Sequence, residues 1–195
     1  MRVLVVIPAY NEAPTIPAVV AGVRAHCVAD ILVIDDGSSD ETFEATQRCG
    51  VIALRHPCNL GIGAAVQSGF LYALEHAYDV VVRIDGDGQH DPAYLPRFLE
   101  PLRAGAADIV IGSRFLARRG YQSTFVRRTG IVILSLISAL VGAHVTDPTA
   151  GYWALNRRAL GLLAASHPDD YPETEAMVVA TRGGCRIHEI PVQML

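Results

Sequence analysis

Residues 79–92 read "DVVVRIDGDGQHDP", and the organisation of the whole chain follows from how this stretch is read. Its front half, "DVVVRI", is short, β-branched and almost wholly apolar. That is the composition of a strand buried on both faces of a parallel sheet. Its rear half sets Asp85, Asp87 and Asp91, two glycines, Gln89 and His90 at that strand's carboxyl end. The same arrangement recurs along the chain. "RVLVVI" (2–7) runs into "PAYNE" (8–12), "DILVID" (30–35) into "DDGSSD" (35–40), and "GVIALRH" (50–56) into "HPCNLGIG" (56–63). "ADIVIGS" (107–113) is a fifth apolar strand. Between them lie segments of helical spacing, near 14–26, 39–49, 61–77 and 92–103. Pro14, Asp40 and Pro92 suit helix starts, and Gly50 and Gly105 suit helix ends. Strands alternating with helices predict βαβ units, an α/β fold with a Rossmann-like, mostly parallel sheet and helices on both faces. Ligands of open α/β sheets bind beyond the carboxyl ends of the strands, so the four polar clusters are expected to face one crevice.

The second half differs. "RFLARRGYQSTFVRR" (114–128) is basic, "GIVILSLISALVGA" (130–143) is apolar, and "VTDPTAGYWALN" (145–156) opens with turn residues. Helices are expected near 157–165 and 173–182, followed by a final strand, "RIHEIPVQ" (186–193). No linker interrupts the chain. One domain over residues 1–195 is expected, with 1–113 as a ligand-binding half and 114–195 as a layer completing the site.

Composition bounds the function. Hydrophobic residues make up 51% and charged residues 18% of 195 residues, enough apolar surface for a packed core. The net charge of −4 gives no basic field for nucleic acid. Cys27, Cys49, Cys58 and Cys185 show no CxxC spacing and read as reduced thiols of a cytoplasmic protein. The N-terminal apolar run is broken by Pro8 and does not read as a signal peptide. Residues 130–143 fall short of the roughly 20 residues that span a bilayer and read as a core or interfacial helix. The expected location is cytoplasmic, with peripheral association at the inner face of the membrane.

Asp85 and Asp87 flank a glycine that lets the backbone aim both acids at one point, and Gln89 adds a neutral oxygen. Hard cations such as Mg2+ or Mn2+ take such oxygens together with substrate phosphates. Asp91 before Pro92 reads as a helix cap, and His90 as a ligand, a phosphate contact or turn surface. Asp36, at a strand end, can accept from a nucleobase imide or a ribose hydroxyl, whereas Asp40 reads as a cap. "GIGAAVQSG" (61–69) departs from a dinucleotide fingerprint, since Val66 holds the third glycine position, and there is no Walker A sequence. Of the arginines at 114, 118, 119, 127 and 128, Arg114 and one of Arg127 and Arg128 are expected to hold phosphate.

In their order, "VVIPAYNEAPTI", "VIDDGSSDET", "HPCNLGIGAAVQSGF", "RIDGDGQHDP", "IGSRF" and "VTDPTAGYWALN" resemble the family 2 glycosyltransferases of GT-A fold. The nearest subgroup is the dolichol- and polyprenol-phosphate sugar transferases. The resemblance implies a nucleotide-sugar donor, a divalent cation and inversion at the anomeric carbon. It implies that Pro8, Tyr10 and Glu12 line a nucleoside pocket with Asp36. It further implies that Asp85 and Asp87 form the DxD-type motif, with Asp87 and Gln89 as direct metal ligands. Arg114 and Arg127 or Arg128 would hold the donor diphosphate or the acceptor phosphate. "DYPETEA" (170–176) resembles a bacterial branch, and the acceptor stays open between a polyprenyl phosphate and a glycan hydroxyl. A hydroxyl acceptor requires a general base, with Glu175 the first candidate and Asp147 the second. Two other functions compete. A nucleotidyltransferase making a sugar nucleotide would need a basic glycine-rich loop after the first strand, where this chain has the acidic "PAYNEAPT". A non-catalytic nucleotide-sugar-binding protein would need no metal acids.

Overall fold

The computed structural model describes residues 1–116, 145–147, 149–165 and 172–195, with side chains from 175 onward in the last segment. The first five strands are β1 (Val3–Ala9), β2 (Asp30–Asp35), β3 (Ile52–Arg55), β4 (Val80–Arg83) and β5 (Ile109–Ser113). Between them run α1 (Ile16–His26), α2 (Thr42–Arg48), α3 (Ile62–Glu75) and α4 (Leu95–Arg103), the last preceded by a 3-10 turn at Pro92–Tyr94. Then come β6 (Trp153–Asn156), α5 (Arg157–Ala165), α6 (Pro172–Arg182) and β7 (Ile187–Pro191). Gly50 and Gly105 close α2 and α4 at φ of 62° and 63°, the left-handed conformation that ends helices cheaply only at glycine. Asp91 caps the turn at Pro92, accepting from the Ala93 N–H at 2.9 Å.

The seven strands form one sheet in the order β3-β2-β1-β4-β6-β5-β7. Six run parallel. β6 runs antiparallel to both of its neighbours, β4 and β5, with Val82 opposite Ala154 and Val110 opposite Ala154. This strand departs from the sequence reading, which left "WALN" inside a turn segment. A four-residue strand lacks the length to show a period, and the pairing that holds it is long-range.

Alternation along the strands divides the core in two. Leu4, Val6, Leu32 and Ile34 point to one face, where α3, α5 and α6 pack with Phe70, Leu160, Leu163 and Met177. Val3, Val5, Ile7, Ile31 and Val33 point to the other, against α1 and α4 with Val20, Val23, Phe98 and Leu99. Helix α3 lies close to the sheet at Gly69, where a β-carbon would come within 2.4 Å of Val6 Cγ1. Cys27, Cys49, Cys58 and Cys185 are free thiols. Among the described residues no helix is long and apolar enough to cross a membrane, and the 130–143 segment lies outside them.

Candidate active site

The carboxyl ends of β1, β2 and β4 are stitched into one wall by side-chain-to-backbone hydrogen bonds. Asn11, in the left-handed region at φ 56°, donates its N–H to Ser38 Oγ at 2.9 Å and accepts from the Ser39 N–H at 2.9 Å through Oδ1. Asparagine tolerates that conformation better than most residues. The Glu12 N–H donates to Thr42 Oγ1 at 2.8 Å and the Ala13 N–H to Asp40 Oδ2 at 3.2 Å. Thr15 Oγ1 donates to Gly86 O at 2.7 Å, which ties the start of α1 to the acidic loop. Gly37 has φ 70°, and a β-carbon there would lie 2.4 Å from the backbone of Cys58, so the "DDGSSD" turn and the loop after β3 touch only because residue 37 is glycine.

These loops enclose a cleft of about 310 Å3 lined by Pro8, Ala9, Tyr10, Glu12, Asp36, Asn59, Gly61, Ile62, Ala65, Asp85, Gly86 and Asp87. Six residues expected at a donor site, Pro8, Tyr10, Glu12, Asp36, Asp85 and Asp87, therefore share one cavity. Asn59, Gly61, Ile62 and Ala65 join them from the loop after β3 and the start of α3. All four lie in "HPCNLGIGAAVQSGF", whose polar cluster is expected at the crevice, but none of them is given a role from sequence.

Asp85 is held on three sides. Its Oδ1 accepts from Arg83 Nε at 3.3 Å, its N–H donates to His90 Nδ1 at 3.0 Å, and its Oδ2 lies 2.9 Å from where a β-carbon on Gly151 would sit. Arg83 is 2% exposed, a buried cation directly behind the acidic loop and over the Trp153 ring. His90 is not turn surface, and it lines not this cleft but a second cavity, shared with Asp87 and Gly88. It is buried, accepts at Nδ1 and packs its ring 5.0 Å from that of Tyr152. Burial pushes its imidazole below the ordinary value, with Asp85 opposing the shift. Asp87 is exposed at the cleft, and its Oδ1 accepts from the Gln89 N–H at 2.9 Å. Gln89 is exposed and lies outside the cleft lining.

No three or more His, Cys, Asp or Glu residues gather as a complete metal cage among the described residues. Two carboxylates on one wall of an open cleft nonetheless fit a cation such as Mg2+ or Mn2+, which completes its shell with water and substrate phosphate.

The remaining candidates separate from the cleft. Asp147 is buried, and Arg114 grips it with two parallel bonds, Nε to Oδ2 at 2.7 Å and Nη2 to Oδ1 at 2.8 Å. Arg114 also donates from Nη2 to Thr149 Oγ1 at 2.8 Å, and the Asp147 N–H donates to Glu189 Oε1 at 3.2 Å. Two expectations are redirected by this geometry. The Arg114 guanidinium faces a carboxylate of its own chain, and both Asp147 oxygens are already engaged. Glu175 is exposed in the first turn of α6 and does not line the cleft. Arg127 and Arg128 lie outside the described residues.

Residues 4–162 match the model of glycosyl transferase family 2. The chain is a family 2 glycosyltransferase. It is 36% identical over 203 residues to undecaprenyl-phosphate mannosyltransferase of Micrococcus luteus, covering 98% of this chain and 83% of that one. It is 33% identical to polyprenol monophosphomannose synthase of Mycolicibacterium smegmatis, covering 98% and 76%. Among solved structures it resembles glucosyl-3-phosphoglycerate synthase of Mycobacterium tuberculosis bound to phosphoglyceric acid, with a TM-score of 0.78 at 22% identity over all of this chain and 71% of that one. The same synthase solved with Mn2+, uridine diphosphate and phosphoglyceric acid gives a TM-score of 0.75 at 21% identity, covering 97% and 68%. The glycosyltransferase fold is thus GT-A, and its sequence relatives include polyprenol-phosphate sugar transferases.

Proposed function

We propose that this glycosyltransferase moves a sugar from a UDP- or GDP-sugar to a polyprenyl phosphate, with inversion and with Mg2+ or Mn2+. The observation that carries the reading is the single cleft shared by Asp36, at the end of β2, and by Asp85 and Asp87, beyond β4. Pro8, Tyr10, Glu12 and Asp36 would receive the nucleoside, with Asp36 accepting from the base. Asp85 and Asp87 would hold the cation, with Gln89 as a third oxygen on rearrangement of its loop. When bound, the cation would neutralise charge on the diphosphate. Arg83 and His90 hold Asp85 in place from behind. Residues 1–113 would form the donor half and 114–195, including Arg127 and Arg128, the acceptor half.

A phosphate monoester has its second pKa near about 6 and is already a nucleophile at neutral pH. No residue then has to remove a proton. This agrees with a described site in which Asp147 is committed to Arg114. A glycan hydroxyl acceptor would instead need a base, for which Glu175 is proposed. A polyprenyl phosphate lies in a membrane, so the protein would work peripherally at its inner face.

The test is a thermal-shift series with UDP- and GDP-sugars, with and without Mn2+, followed by transfer to a short-chain polyprenyl phosphate. At a hundredfold excess over Kd the nucleotide stabilises by about 2.7 kcal/mol, which for a domain of this size raises Tm by roughly 5–10 °C. EDTA and Asp87→Asn should each remove the shift. No shift with any nucleotide sugar in Mn2+ would refute the reading.

A further inference from the structure

Behind the cleft wall lies a chain of three side chains, Asp36 and His56 buried and Ser68 half-buried. His56 follows β3, is 7% exposed, and is fixed at its backbone by donation to Asp35 O at 2.9 Å. Its Nδ1 lies 2.7 Å from Asp36 Oδ1 and its Nε2 2.9 Å from Ser68 Oγ on α3. Asp36 also accepts from the Leu60 N–H at 3.0 Å and the Gly61 N–H at 2.8 Å. A carboxylate oxygen accepts, so Nδ1 donates to Asp36, and Nε2 and the Ser68 hydroxyl share the second hydrogen bond.

Ser-His-Asp is the order of a nucleophilic triad, but the geometry runs the other way. Ser68 lies within a regular helix and does not line the cleft, whereas Asp36 does. The acid is the end that meets ligand, and the histidine and serine support it from behind. The same carboxylate organises the opposite wall, because the two amides it accepts belong to the loop that presents Gly61 and Ile62.

We propose that His56, oriented by Ser68, is a positioning residue that fixes the Asp36 carboxylate and so sets which nucleobase the cleft accepts. This rests on the reading of the cleft as the donor site. A fixed carboxylate accepts from a base with a ring N–H, as uracil and guanine have. It faces a lone pair at the corresponding nitrogen of cytosine and adenine, and a buried mismatch of that kind is strongly selected against. A carboxylate that has lost its imidazole partner turns more freely and discriminates less.

Calorimetric titration of UDP, GDP, CDP and ADP in Mn2+ tests this on the wild type, His56→Leu, His56→Asn and Ser68→Ala. The wild type should favour UDP or GDP. Losing one charge-assisted bond in His56→Leu should lower that preference about tenfold. His56→Asn, whose side-chain amide can donate to Asp36 in place of Nδ1, should keep most of it, and Ser68→Ala should lose roughly two- to threefold. A His56 that merely fills space would weaken all four nucleotides together and give no rescue by asparagine. A preference unchanged in His56→Leu overturns the inference, as does an unchanged preference in Ser68→Ala should the leucine variant fail to fold. Absence of binding by the wild type overturns the donor-site reading as well, which separates the two failures.

Discussion

Replacing Asp147 by asparagine asks whether this carboxylate serves the reaction or the fold. Its side chain is 0% exposed and that of its partner Arg114 is 13% exposed. Both oxygens accept from the guanidinium, and Oδ2 also accepts from the Arg114 N–H at 3.2 Å. Asparagine removes the charge and turns an amide donor toward a guanidinium donor, breaking the paired bonds between two largely buried groups. Breaking such a pair by removing one partner costs about 3–5 kcal/mol. At roughly 2–4 °C per kcal/mol for a domain of this size, Tm should fall by about 6–20 °C. The double variant Arg114→Met, Asp147→Leu should recover much of that loss, since apolar side chains of similar volume avoid the desolvation that the ion pair incurs. Thermal unfolding followed by circular dichroism reads the effect, and nucleotide binding is measured well below the lowered midpoint, where Asp147→Asn should bind UDP as the wild type does. An unchanged Tm with turnover abolished would refute the reasoning and make Asp147 a group acting on substrate.

Two glycines in helices should respond with opposite signs. Gly69→Ala drives a β-carbon to within 2.4 Å of Val6 Cγ1 and 3.1 Å of Ile34 Cδ1, so urea unfolding should show a loss of about 1–3 kcal/mol. Gly161→Ala meets nothing within 4 Å among the described residues in an exposed turn of α5 and should gain up to about 1 kcal/mol in the same assay. The acid limb of stability should depend on Asp108, whose carboxyl is held well below its ordinary 3.8 first by hydrogen bonds from Arg186 and then by Asn156. A depressed folded-state pKa stabilises above the unfolded value, about 4, and that contribution fades as pH falls through the folded one. Asp108→Asn should therefore lower Tm at pH 6 and converge on the wild type in strong acid; a gap independent of pH would count against it.

The elements most readable from the sequence are those whose signal is local. β2 falls on "DILVID" as expected, and β1, β4 and β5 announce themselves by β-branched runs ending in turn residues. The cleft was legible for a related reason: in a parallel sheet every strand delivers its following loop to the same edge, so acidic clusters behind successive strands must converge. Interactions that join distant positions left no such trace. Arg114 and Asp147 are 33 residues apart, and His56 and Asp36 are 20 apart, so neither pairing follows from composition or period. Arg83 shows the same limit, because a charge ending an apolar run reads as the edge of a strand, yet it is buried.

The antiparallel strand β6 has a consequence for how such enzymes diversify. Because Ile111 pairs with Trp153, the chain leaves the sheet after β5 and returns beside its point of departure. The points where the chain leaves and rejoins the sheet are therefore fixed side by side, the Gly112 N–H donating to Tyr152 O at 2.9 Å. Closure entropy grows only with the logarithm of loop length, about 0.6 kcal/mol per doubling. Changes of chain length between those two points thus alter the closure cost little, provided the Arg114–Asp147 pair is kept, while β1 to β4 retain their own pairing. On the proposed division into donor and acceptor halves, evolution could rewrite the partner that receives the sugar without reopening the question of how the sugar is delivered.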